Sequence, residues 1–132
     1  MTDAEPQPGL PDESAHHSAF LDWYRATAVE KVLSLPEAER HRSRVPSGWT
    51  PEDRWRTDAS VAELAALLDE QGVRTRGVLA CHSLDEVARI GGRFASDPPD
   101  LRWICFHVLQ EYARHAGHLD VAVELAGGPT GE

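Results

Sequence analysis

Three residues with ligand chemistry recur one helical turn apart near the end of the chain: His107, Glu111 and His115, with His118 one turn further on. At i, i+4 and i+8 their side chains share one helix face with about 40° of drift, and a rise of about 6 Å separates neighbours. An i, i+4 pair is a common way to present two donors to one ion, and neutral imidazole with carboxylate suits zinc, nickel or iron. A usable site needs a third donor from another element, and the adjacent His16 and His17 are candidates for it. The same residues also read without a metal, with His107 as a half-buried core histidine, Glu111 and His115 as an ordinary surface pair, and His118 at a polar edge.

Other chemistries lack their signatures. There is no Gly-rich phosphate loop, no G-x-S-x-G and no C-x-x-C; Cys81 and Cys105 stand alone, as reduced thiols on helix faces. A net charge of −9 opposes nucleic-acid binding, and the basic cluster Arg40, His41, Arg42, Arg44 is too short to reverse it. The longest apolar run, Leu64–Leu68, is far below the roughly 20 residues that cross a bilayer. The N-terminus carries acidic residues and prolines where a secretory signal needs basic and then apolar residues, so a cytoplasmic protein is expected.

The elements that must position the cluster are helices. Residues 1–13, with Pro6, Pro8, Pro11 and Gly9, read as a disordered tail ahead of one domain over 14–128. Phe20, Leu21, Tyr24, Ala28 and Val32 give an amphipathic helix from Ser14 or Ser18 to about Leu35, where Pro36 stops it. Glu37 to Arg44 adds a polar turn or two, and residues 45–59 hold no regular element. Ser60 and Glu63 form a capping box for a helix to about Leu79, with Gly72 as its weak point. Ser83 to Arg89 reads as a short helical segment, ended by Gly91-Gly92. After Asp97-Pro98-Pro99, Asp100 caps the longest helix, whose apolar side runs Leu101, Ile104, Val108, Leu109, Tyr112, Ala116, Leu119, Val123 to Gly127-Gly128. The fold class is all-α, an up-down bundle.

Trp103-Ile104, His107 and the string Glu111-Tyr112-Ala113-Arg114-His115-Ala116-Gly117-His118-Leu119-Asp120 resemble the closing motif of the DinB-like helical bundle superfamily. Phe20-Leu21-Asp22-Trp23-Tyr24-Arg25 and Val45-Pro46-Ser47-Gly48-Trp49-Thr50-Pro51 are similar to an actinobacterial branch of it, the mini-circle proteins. The resemblance implies a thiol-dependent transferase of the mycothiol type and a divalent metal, zinc or nickel, with Glu111 and His115 as two of three ligands. Arg114 and Asp120, which match the motif, would orient thiol carboxylates or ligand histidines, or be ordinary helix charges.

In relatives the third ligand is a histidine on a second helix that follows the S-G-W-T-P segment. Here Thr50-Pro51-Glu52-Asp53-Arg54-Trp55-Arg56-Thr57-Asp58 follows instead, and neither His41 nor His82 matches that position, so the bundle is expected to reduce to about three main helices. One wall of the bundle is then missing, and either a homodimer covers the seam or Trp49 and Trp55 do. Two functions follow: a metal-dependent thiol transferase with an incomplete site, or a catalytically inactive helical-bundle interaction or remnant protein.

Overall fold

The computed structural model of the protein describes residues 4–40, 42 and 57–130, and among these it is all-α, with three long helices, a one-turn helix and no strand. Helix α1 spans Glu13–Leu33, starting before both Ser14 and Ser18, because the Asp12 side chain accepts from Ala15 N at 2.8 Å and takes the N-cap. Its last residue, Leu33, is two short of Leu35, which lies buried just beyond the Ser34 C-cap. Helix α2 is a single turn, Glu37–Arg40, held against that end where Arg40 Nε donates to the Leu35 carbonyl at 3.0 Å. The expected irregular segment is described only from residue 57, so Trp49 and Trp55 lie outside the described residues, as does His41.

Helix α3 spans Val61–Cys81, two residues beyond expectation. Its capping box is complete: Glu63 N donates to Ser60 Oγ at 3.2 Å and Ser60 N to Glu63 Oε2 at 2.7 Å. The short helix expected from Ser83 to Arg89 does not form. One turn closes there, with Glu86 N on Ser83 O, and then the carbonyls of Leu84 and Glu86 accept from Arg102 N and Leu101 N, both at 2.9 Å. Those amides are the orphan donors of the next helix, and they take the acceptors that a local helix would have used.

Helix α4 spans Leu101–Leu125, with Asp100 Oδ1 accepting from Trp103 N at 2.8 Å. Gly127 adopts φ +79°, so that its N–H and that of Gly128 turn back onto the Glu124 and Val123 carbonyls, both at 2.9 Å. A Cβ on Gly128 would stand 2.6 Å from Val123 Cγ1, so this end requires glycine.

Helix α1 is the hub, packing against both α3 and α4. Cys105, Ala116 and Val123 are the buried residues of α4, and Lys31 pairs with Asp120 across the α1–α4 contact. Leu21, 1 % exposed, is the most deeply buried side chain, a burial worth roughly 1.5–3 kcal/mol. Helices α3 and α4 meet at one end, where Leu79, Leu84 and Cys105 cluster with Leu101. Burial pushes the Cys105 thiol pKa up, with the Glu13 charge adding to the effect, whereas Cys81 is exposed.

Candidate functional site

Helix α4 delivers the spacing read from the sequence: His115 Nε2 stands 3.7 Å from Glu111 Oε2, and the His118 ring lies edge-on to His115 with centroids 5.8 Å apart. The pair sits beside the buried Cys105, Ala116 and Val123 face, with side-chain exposures of 41 % for Glu111 and 69 % for His115.

His107 belongs to a different group. Its Nε2 lies 3.2 Å from Arg93 NH2, a pure donor, and its ring stacks on Trp103 at 5.0 Å and 9°. Eight residues, about 12 Å of helix rise, separate it from His115. His16 Nδ1 is bonded to the Asp12 carbonyl at 2.7 Å, and buried His17 packs edge-on against Phe106 at 4.8 Å, well back along α4 from His115. Asp120 is engaged by Lys31, and Arg114 is exposed.

A metal ion would therefore find two donors at Glu111 and His115 with His118 adjoining. Among the described residues no group of three or more His, Cys, Asp or Glu could hold an ion, so these residues alone do not make a complete metal site.

A second arrangement was not legible in the sequence. An open cleft of about 700 Å³ between α1 and α3 is lined by Asp22, Arg25, Val29, Gly72, Val73 and Arg76 among others. On its floor Asp22 Oδ1 accepts from Arg25 NH1 at 2.6 Å and from Arg76 NH1 at 2.8 Å, and Arg25 NH2 donates to Thr75 Oγ1 at 3.0 Å. Arg25 is 6 % exposed. The one trace of this in the sequence is Gly72, a glycine in mid-helix that stands against the Arg25 and Asp22 side chains of α1.

The all-α architecture is that of a helical bundle, and the family match that follows places it among the DinB-like proteins. The family model for mycothiol S-transferase matches residues 49–128, which include all of α3 and α4, and the chain belongs to that family. Comparison with curated proteins and with solved structures finds no match.

Proposed function

We propose that the protein transfers a low-molecular-weight thiol of the mycothiol type to an electrophilic substrate, with Glu111 and His115 at the reacting site. The observation that carries this reading is the family match across α3 and α4, which takes in that pair. The chain's own residues supply proton handling. The thiol proton passes to the open ring nitrogen of His115, whose other nitrogen faces Glu111, and the sulfur lone pair bonds to the electrophilic carbon as the leaving group departs and takes up the proton. Metal dependence is an alternative, finer form of the proposal: zinc or nickel would take Glu111 and His115 as two donors with a third from another element or a second copy, and the ion rather than His115 would then supply the acidity that activates the thiol. The Phe20–Arg25 and Val45–Pro51 strings support a place in the mini-circle branch. The unpaired Cys81 and Cys105, and the lack among the described residues of a helix long and apolar enough to cross a membrane, fit a reducing cytoplasm.

The test is calorimetry with zinc and nickel on the wild type, Glu111→Gln and His115→Ala, beside mass spectrometry of mycothiol incubated with an alkyl halide. Stoichiometric binding and conjugate formation, both lost in the variants, are the expected result. Conjugation without metal binding would retain the transferase and remove the metal. Absence of both would leave the interaction protein, a reading that the two-donor set favours.

A further inference from the structure

The cleft between α1 and α3 is charged at one end and largely apolar along the rest. Its lining runs from Asp22 to Leu33 on α1 and from Arg76 back to Ala65 on α3, about 16 Å of rise on each helix. At the charged end the guanidiniums of Arg25 and Arg76 share one carboxylate oxygen, Asp22 Oδ1, so one positive charge is in excess. Gly72 lets the three groups converge, since a Cβ there would stand 3.3 Å from Arg76 and 3.4 Å from Arg25 and Asp22. Arg25 Nε is buried without an acceptor, in a side chain that is 6 % exposed, and a buried donor with no partner is uncommon in a folded chain. Arg76, 49 % exposed, keeps the rest of its fork within reach of a ligand. Beyond this end Val29 and Leu33 of α1 face the cleft with Ala65 and Val73 of α3.

We infer that the cleft binds a small monocarboxylate with an apolar body. The carboxylate takes the Arg76 fork at the end where charge is in excess and offers an acceptor to the Arg25 guanidinium. The body lies along Val29 and Val73 and removes their apolar surface from water. A volume of about 700 Å³ suits a ligand of this size. Glu30 and Asp69, further along the same lining, repel a second negative charge, which selects a monoanion over a dicarboxylate. This inference uses α1 and α3 and does not rest on the transferase reading.

Calorimetry and amide shift mapping by NMR, with octanoate added to the full chain, test it. Saturable one-to-one binding that shifts Val29, Gly72 and Val73 is expected, with octylamine and the dicarboxylate suberate each at least tenfold weaker. Arg76→Met leaves the bond from Arg25 to Asp22 in place and is expected to weaken octanoate at least tenfold; Val73→Asp, at an exposed position on the wall, gives the same readout should Arg76→Met fail to fold. Arg74→Ala, which removes an exposed charge outside the cleft, binds octanoate as the wild type does. Octylamine or suberate binding as tightly as octanoate would overturn the inference. So would binding without saturation, shifts confined to other surfaces, equal weakening by Arg74→Ala, or octanoate binding unchanged in both Arg76→Met and Val73→Asp.

Discussion

The Arg25 guanidinium lies 5.5 Å from the Tyr112 ring centroid, so a charged side chain of α1 rests on an aromatic face of α4. The same group bonds Asp22 on its own helix and Thr75 on α3, and thus touches all three long helices. Arg25→Ala removes packing and hydrogen bonds at once and is expected to cost about 2–4 kcal/mol, read as a lower urea midpoint by far-UV circular dichroism. Arg25→Met keeps the volume and leaves Asp22 paired with Arg76, so its loss is expected to be about half as large or less.

Glycine replacements separate the crowded helix position from the open ones. A Cβ on Gly72 meets Arg76 NH1 at 3.3 Å and Arg25 NH1 and Asp22 Oδ1 at 3.4 Å, whereas Gly77 and Gly117 have nothing within 4 Å. Gly77→Ala and Gly117→Ala are expected to stabilise by about 0.5–1 kcal/mol in the same urea assay. Gly72→Ala gains less or turns destabilising, because buried Arg25 cannot move aside as half-exposed Arg76 can.

Ser60→Ala opens the capping box and is expected to cost about 1 kcal/mol. Hydrogen bonds from the Ser60 amide, first, and its hydroxyl hold the Glu63 carboxyl below its usual value of 4.5. A depressed carboxylate stabilises the fold above its unfolded value, and the contribution disappears as pH falls through the folded value. Wild type and Glu63→Gln therefore differ in melting temperature at neutral pH and converge below about pH 4.5.

Thiol accessibility gives a sharp readout. Cys81 is exposed, while Cys105 is buried and its thiol pKa is raised. Iodoacetamide at neutral pH is expected to alkylate Cys81 in the native protein and Cys105 only after denaturation, as peptide mass spectrometry would show. Alkylation of Cys105 at a comparable native rate would mean that the Leu79–Leu84–Leu101 cluster opens readily.

Glu111→Gln and His115→Ala separate function from folding. Both side chains are more than a third exposed, so each substitution is expected to change stability by less than about 0.5 kcal/mol while removing metal binding and conjugation. A large fall in melting temperature would assign the pair to the scaffold instead.

Local rules carried much of this fold into legible sequence. Asp100, Ser60 and Glu63 cap helices through residues three positions away, and the approach of Glu111 to His115 needs only an i, i+4 helix. What escaped depends on distant partners. Ser83 to Arg89 has a helical pattern, but the amides of Leu101 and Arg102 capture its carbonyls. Arg25 carries no local cue to its burial, which comes from Thr75, fifty positions on, and from Tyr112. A third metal donor is likewise a tertiary property that spacing on one helix does not contain.

The hub position of α1 also sets an order of events on the ribosome. Lys31 and Asp120 are 89 positions apart, so α1 emerges well before the helix that covers much of it has been made. During that interval α3 is the earlier long helix to reach α1, and the nascent chain must shelter the face around Leu21 without the α4 contact. Vectorial synthesis thus makes the α1–α3 contact available first and leaves α4 to seal it once Leu101–Leu125 have been made.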